Sequence, residues 1–119
     1  MNNDLESIKK VIYNYATFAD NRQTQDQYDL FLPINEGGMG MSVKYPGMTD
    51  DQIEHHNTAD ALYADFDQLH NYPTTFHFVG QVDVKELSDN SATALVYTIA
   101  HHVVPQDDGS QKLMLAYIK

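Results

Sequence analysis

The spacing of apolar residues changes in the last third of this chain, and that change constrains the fold more than any other feature. Before it, apolar residues recur mainly at three- and four-residue intervals, which is typical of helices. From residue 75 they alternate with polar residues, which is typical of half-buried strands. Helices followed by an antiparallel meander indicate an α+β fold. The 119 residues are expected to form one domain, residues 1–119.

The first helix is predicted over residues 4–22, where Asn3 can cap it and Glu6 completes a capping box. At helical spacing, four residues fall within about 60° of one another and form its core-facing stripe: Ile8, Ile12, Tyr15 and Ala19. Asp20 lies about 100° from the centre of this stripe. Its carboxylate can therefore reach a cavity or turn out to water.

The middle of the chain predicts a second helix that begins at Thr49, with Gln52 completing another capping box. The apolar pattern is thin around His55 and His56, so we expect a break near Asn57 and Thr58. Between the two helices the sequence predicts a short helical piece, a loop and a short strand, respectively at residues 23–32, 33–38 and 41–45.

Three strands are predicted after the helices, over residues 75–81, 92–104 and 112–118. The last of these is strongly apolar, and a sheet that ends on such a strand exposes an adhesive edge. We therefore expect either a further strand that is missing from this sequence or a second subunit that covers the edge.

Composition excludes several functions. Seventeen acidic and seven basic residues give a formal net charge of −10, which would repel nucleic acid. The sequence has no cysteine, which excludes disulfides and thiolate chemistry and fits a reducing cytoplasm. No apolar run is long enough to span a membrane. His55 and His56 are adjacent on the predicted helix and cannot chelate one metal as an i, i+4 pair would, so no metal is expected.

Three stretches carry a resemblance to a known family. They are Tyr15–Asp20 with the pattern Tyr-Ala-x-x-Ala-Asp, the histidine-bearing strand Thr75–Val84, and Ala92–Tyr97 running on to His102. In this order and spacing they resemble the SnoaL-like family of the nuclear transport factor 2-like (NTF2-like) superfamily. The resemblance covers residues 5–118, although the family more often has Asn where Gln81 stands.

This resemblance implies a cone-shaped fold, in which a strongly curved antiparallel sheet wraps the first helix and leaves a deep apolar cavity. Enzymes of the family are dehydratases, isomerases and cyclases of steroid-like and polyketide compounds, and they need no cofactor for this chemistry. Members usually have one more strand after the equivalent of Tyr117, typically with a Gly-Trp pair, which this sequence lacks. They commonly dimerise through the sheet, so a homodimer is expected.

The resemblance also implies a catalytic cluster inside the cavity. Asp20 would remove a proton next to a carbonyl, His77 would deliver or relay a proton, and Tyr15 would donate a hydrogen bond to the developing enolate oxygen. His101 and His102 point to opposite faces of their strand, and alternation alone cannot choose between them. The family pattern favours His102. The small, mostly apolar substrate is expected to contact Phe18, Met41, Tyr45, Val79 and Tyr97.

The same residues also permit a plainer interpretation. Asp20 would then be a solvated helix-end carboxylate, Tyr15 a core tyrosine and His77 a packed strand histidine. Two functions therefore remain open: a cofactor-independent lyase or isomerase, and a non-catalytic module for binding a hydrophobic ligand or for dimerisation. Replacing Asp20 with Asn separates them, because only a catalyst should lose turnover while it still binds ligand.

Overall fold

The computed structural model describes residues 2–38 and 40–118 and has the α+β architecture that the spacing predicts. Within these residues the strands form a two-stranded sheet, β1-β2, and a three-stranded antiparallel sheet, β3-β4-β5. The helices are α1 (Asn2–Asp20), α2 (Thr24–Tyr28) and α3 (Ala59–Asp67). The strands are β1 (Met41–Val43), β2 (Glu54–His56), β3 (Thr75–Leu87), β4 (Ala92–Pro105) and β5 (Gln111–Ile118). Short 3₁₀ turns occupy Ile34–Glu36, Asp50–Gln52 and Gln68–Asn71.

Helix α1 begins one residue before the expected cap and ends two residues earlier than predicted. Because it starts at Asn2, Asn3 lies inside the helix, and the prediction that Asn3 caps it is wrong. At the other end Arg22 takes a left-handed conformation with φ 59°. A left-handed residue stops the helical hydrogen-bond series and turns the chain.

The helix predicted from Thr49 is wrong over its first part. The capping box of Thr49 and Gln52 does form, but it opens only a 3₁₀ turn. The chain then extends into β2, which pairs with β1 so that Met41 lies opposite His56. The apolar spacing that would have held a helix against the core fails in this segment, and pairing between strands replaces it.

The break expected near Asn57 and Thr58 is confirmed, and α3 follows it. The Thr58 hydroxyl accepts a hydrogen bond from the Ala61 N–H at 3.1 Å, which satisfies one free donor of the first turn. Leu62 and Phe66, spaced one helical turn apart, are the residues that α3 buries.

Helix α1 lies against β3, where small side chains allow a close approach. Ala16 and Ala19 on the helix are buried, and so is Ala100, which lies opposite His77 in the pairing of β3 with β4. The register of β3 shifts between Val79 and Val82, and again further along the strand. Such irregularities bend a strand and increase its twist.

The three-stranded sheet has two faces of different character. Thr75, His77 and Val79 alternate with their neighbours and share the inner face, which α1 covers in part. The opposite face, here called the outer face, carries six exposed apolar residues among those that the structure describes: Phe76, Phe78, Tyr97, Ile99, Leu113 and Leu115. Among the described residues, no helix combines the length and the apolar character needed to cross a membrane.

Candidate active site

A carboxylate and an imidazole meet where the end of α1 lies against the start of β3. Oδ1 of Asp20 is 2.7 Å from Nδ1 of His77, and Oδ2 of Asp20 accepts the backbone N–H of His77 at 3.0 Å. The His77 side chain is 9% exposed and the Asp20 side chain 22%. The carboxylate therefore fixes both the backbone and the ring of His77, and an Nδ1 proton on the ring is the arrangement that this bond favours.

A third donor reaches the same carboxylate. The hydroxyl of Thr75, which is buried, donates to Oδ1 of Asp20 at 3.0 Å. Thr75 precedes His77 by two residues and so shares its face of β3. The sequence itself carries this spacing, which is the signal that identifies Thr75 as a neighbour of His77. With three donors around it, the carboxylate is oriented toward His77.

His102 lies next to His77 on the inner face, with ring centroids 5.8 Å apart and an angle of 76° between the rings. Tyr72 packs edge-on against its other side at 4.9 Å. His101 instead lies beside Phe76 on the other face, at 6.0 Å. The structure therefore places His102, and not His101, with Asp20 and His77.

The surroundings of His102 favour its neutral form. Burial lowers the pKa of His102 below its ordinary value, and the nearby His77, Arg22 and His101 lower it further, against the opposing effect of Asp20. Nδ1 of His102 is buried and has no hydrogen-bond partner among the described residues. A neutral ring beside His77 avoids a second positive charge when His77 takes up a proton.

A groove gives access to the pair. Its volume is about 290 Å³. One of its walls is formed by α1 and the other by the first residues of β3. The lining residues are Tyr13, Ala16, Thr17, Asp20, Phe76, His77, Phe78 and Val79. The exposed surface of this lining is about equally polar and apolar, which suits a small molecule that carries both apolar and polar groups.

Tyr15 belongs to a different cluster. Its ring packs against Phe31 at 6.2 Å and Phe66 at 5.8 Å, and the Gln27 side chain hydrogen-bonds its hydroxyl. Burial raises the pKa of Tyr15 to about 12, with the charge of Asp65 adding to the effect. Tyr15 therefore carries a neutral hydroxyl at any ordinary pH, and its described contacts lie in the core between α1, α2 and α3.

A second polar group lies near this cluster, and sequence reasoning did not find it. Nε2 of His56 is 3.3 Å from Oδ1 of Asp65 and 3.6 Å from Oε1 of Glu54. Burial raises the pKa of Asp65, His56 lowers it and Glu54 raises it. The contact joins β2 to α3, and only the fold brings these residues together. Within residues 2–38 and 40–118, no three potential metal ligands converge to hold an ion.

The residues expected to contact a substrate are dispersed. Val79 lines the groove, whereas Phe18 is half-buried on α1. Met41 is half-buried on β1, and Tyr45 is 54% exposed after the end of that strand. Tyr97 lies on the outer face, because alternation along β4 places it with Ile99 and not with His102. Tyr97 and His77 thus lie on opposite faces of the sheet, and the expectation that both contact one ligand stays a prediction.

Comparison with models of known protein families shows which family the sequence matches. The family model of the SnoaL-like domain matches residues 2–118, which is nearly the whole chain. The chain belongs to the SnoaL-like family. This SnoaL-like domain has the helices and antiparallel sheet of the NTF2-like fold, as the sequence resemblance implied. None of the curated proteins matches the sequence significantly.

Solved structures share the fold of this SnoaL-like domain at low sequence identity. A protein from Novosphingobium aromaticivorans, named as a candidate scytalone dehydratase, is 16% identical with a TM-score of 0.64, and the match covers 98% of this chain and 85% of that one. A protein from Catenulispora acidiphila is 12% identical with a TM-score of 0.52, covering 98% and 93%. A structure from the same organism in complex with S-DNPA has a TM-score of 0.53 at 12% identity, covering 98% and 95%.

Proposed function

We propose that this SnoaL-like domain is a cofactor-independent lyase or isomerase acting on a small, mostly apolar carbonyl compound. The observation that carries the proposal is the 2.7 Å contact between Asp20 and His77 at the wall of a groove. Membership in the SnoaL-like family and the fold shared with a candidate scytalone dehydratase support chemistry of the dehydratase, isomerase or cyclase kind.

The geometry favours His77 as the group that moves the proton. The oxygens of Asp20 already accept hydrogen bonds from Thr75 and from the ring and backbone of His77. We therefore transfer the role of base from Asp20, where the sequence suggested it, to Nε2 of His77. Asp20 then orients the ring and stabilises the imidazolium that forms, as a carboxylate does beside any catalytic imidazole.

The reaction follows from these positions. Nε2 of His77 accepts a proton from the carbon next to the substrate carbonyl, and the C–H electron pair moves into the enolate. In an isomerisation, His77 returns the proton to another carbon of the same system. In a dehydration, the proton goes to a β-hydroxyl group, the C–O bond breaks with its electron pair, and water leaves. The neutral ring of His102, which lies beside His77, is the candidate hydrogen-bond donor to the enolate oxygen, whereas the Tyr15 hydroxyl is bonded to Gln27 in the aromatic core.

Deuterium exchange tests this proposal without knowledge of the natural substrate. The full chain is incubated in D₂O with a panel of small ketones and β-hydroxyketones, and incorporation of deuterium next to the carbonyl is followed by NMR. We expect exchange by the wild type and a loss of about 10² to 10⁴ in rate for Asp20→Asn and for His77→Asn. Binding of the same compounds, measured by calorimetry, should change little.

Asp29→Asn is the matched control, because Asp29 is an exposed helix-end carboxylate bonded only to its neighbour Gln25 through its side chain in the described contacts. It should keep the wild-type exchange rate. Unchanged exchange in Asp20→Asn would contradict the proposed mechanism and favour a non-catalytic ligand-binding domain.

We also propose that the protein is a homodimer in the cytoplasm. The outer face is apolar and exposed, with Phe76 and Phe78 each 57% and Leu113 60% exposed. Contiguous apolar surface of this kind is rare on a monomer and suits a second copy of the same face. This surface is also the observation that favours the alternative function, a dimerisation module without catalysis. The absence of cysteine supports the cytoplasmic location.

A further inference from the structure

Arg22 follows the end of α1 in a conformation that arginine rarely adopts. Its φ of 59° lies in the left-handed region, and no other non-glycine residue of the described chain has a positive φ. The turn is closed by hydrogen bonds from Gln23 N–H to Phe18 C=O at 2.8 Å and from Arg22 N–H to Ala19 C=O at 3.2 Å. Glycine usually occupies this position, because a β-carbon disfavours the conformation.

The side chain of Arg22 turns back across the site. Its Nη1 donates to the carbonyl oxygens of Ala19 at 3.1 Å and Asp20 at 2.9 Å, and to the Thr75 hydroxyl at 2.8 Å. Its Nη2 donates to the Tyr72 carbonyl at 2.8 Å. The guanidinium thus bridges the last turn of α1 and the segment that enters β3, which are about fifty residues apart in the chain.

These contacts determine where the hydroxyl proton of Thr75 points. A threonine hydroxyl has one proton, and an arginine can only donate. Since Thr75 Oγ1 accepts from Arg22, its own proton is free for Oδ1 of Asp20, which lies 3.0 Å away. Donation from a cation also polarises the hydroxyl and strengthens the bond that it makes to the carboxylate.

We propose that Arg22 is a positioning residue for the Asp20–His77 pair, acting through Thr75 and through the two backbone segments that it joins. It keeps the Asp20 carboxylate within hydrogen-bond distance of His77 and directs the Thr75 proton onto Oδ1 of Asp20. The catalytic consequence rests on the proposed function, whereas the structural consequence does not. The second effect of Arg22 is electrostatic: after burial and His77, it is the next contributor that lowers the pKa of His102.

The test uses Arg22→Gly in the full chain, because glycine keeps the left-handed turn while the guanidinium is lost. The readout is long-range ¹H–¹⁵N NMR of the His77 ring, assigned with His77→Gln. In the wild type we expect a slowly exchanging Nδ1 proton. In Arg22→Gly this signal should broaden or disappear, and the titration midpoint of His102 should move up toward its ordinary value. Both changes, in the His77 signal and in the His102 midpoint, should be smaller in Arg22→Lys than in Arg22→Gly. Lysine keeps the charge but not the planar group of donors.

Asn21→Gly is the matched control, because Asn21 lies in the same turn and its side chain bonds Gln23 at 3.3 Å, away from the pair. The control should leave the His77 and His102 signals as in the wild type. Added guanidinium ion should restore the His77 signal in Arg22→Gly, and tetramethylammonium at the same concentration should not. A purely structural role for Arg22 would give no such rescue.

An unchanged His77 Nδ1 signal in Arg22→Gly would overturn the inference, whatever the catalytic result. If the signal changes but the wild type exchanges no carbonyl compound, the positioning role stands and the proposed function fails. Where the wild type does exchange, Arg22→Gly should lower kcat about 10- to 100-fold with little change in KM. Retention of both signal and rate would refute the role of Arg22 and leave the proposed function intact.

Discussion

At the scale of single residues, the structure separates the hydroxyl of Tyr15 from the imidazole of His77, which the sequence had suggested would share one cluster. His77 lies with Asp20 at the end of α1, whereas Tyr15 lies in the aromatic core beside Phe31 and Phe66. Helical geometry correctly places Tyr15 on the core-facing stripe, but one stripe can face two different neighbours along its length. The position along the helix, rather than the angle around it, decides which cluster each residue joins.

The pH dependence of stability tests the environment of Tyr15. Burial raises the pKa of Tyr15 from 10.0 to about 12, so the folded state holds the hydroxyl proton more tightly than the unfolded state does. The corresponding stability is fully present below about pH 10 and is lost as the pH rises toward about 12, a change of up to about 3 kcal/mol. Tyr15→Phe should lack this loss.

The measurement is the free energy of unfolding in urea at about pH 9 and at about pH 11.5. The difference between wild type and Tyr15→Phe should shrink at the higher pH. Tyr13→Phe is the control, because Tyr13 is on the same helix but 46% exposed. The same pH dependence in Tyr15→Phe as in the wild type would contradict the assignment.

At the scale of elements, the long helix and strands with a regular apolar pattern could be predicted from the sequence, whereas the pairing of the short strands could not. Helix α1 and strands β3, β4 and β5 follow from sustained periodicity, which is a local property of the sequence. Strands β1 and β2 have three residues each and exist because they pair with one another. Only the tertiary arrangement can specify such a pairing, and for this reason β2 was predicted as helix.

The residues of the candidate site also divide into those that the sequence could predict and those that it could not. Asp20, His77 and His102 are candidates because the family pattern places them together, and the spacing of Thr75 to His77 would have predicted that it joins them. Arg22 had no comparable signal. A left-handed arginine that reaches back to a strand about fifty residues away depends on contacts that the sequence around it does not indicate.

The start of α3 offers a test at this scale. The Thr58 hydroxyl accepts the Ala61 N–H, so Thr58→Ala should lower the free energy of unfolding by about 1 kcal/mol. Thr58→Ser keeps an accepting oxygen and should stay close to the wild type. Urea unfolding of the three proteins provides the comparison, and equal stability of Thr58→Ala and Thr58→Ser would show that the cap contributes nothing.

At the scale of the whole molecule, the outer face is the surface through which we propose that two copies associate. Its six apolar residues are exposed in the single chain, although the chain carries a net charge of −10 that favours solubility. An exposed apolar sheet face on such a charged molecule is the feature on which the proposed dimer rests. Two outer faces packed together would bury it in a symmetric contact.

We expect sedimentation velocity to show a dimer for the wild type and a monomer for Ile99→Lys, because a buried lysine without a partner opposes association. Ile99 is 36% exposed in the single chain, so the substitution should leave the fold itself intact. Leu32→Lys is the control, since Leu32 is 60% exposed outside the sheet. A dimer that persists in Ile99→Lys would place the contact elsewhere.

The proposed site depends on the contact between Asp20 and His77, and the tautomer of His77 reports on that contact. Long-range ¹H–¹⁵N NMR distinguishes a proton on Nδ1 from one on Nε2. We expect wild-type His77 to carry its proton on Nδ1, toward the carboxylate 2.7 Å away, and Asp20→Asn to lose this preference. A His77 tautomer that is the same in wild type and Asp20→Asn would contradict the pair and the chemistry proposed for it.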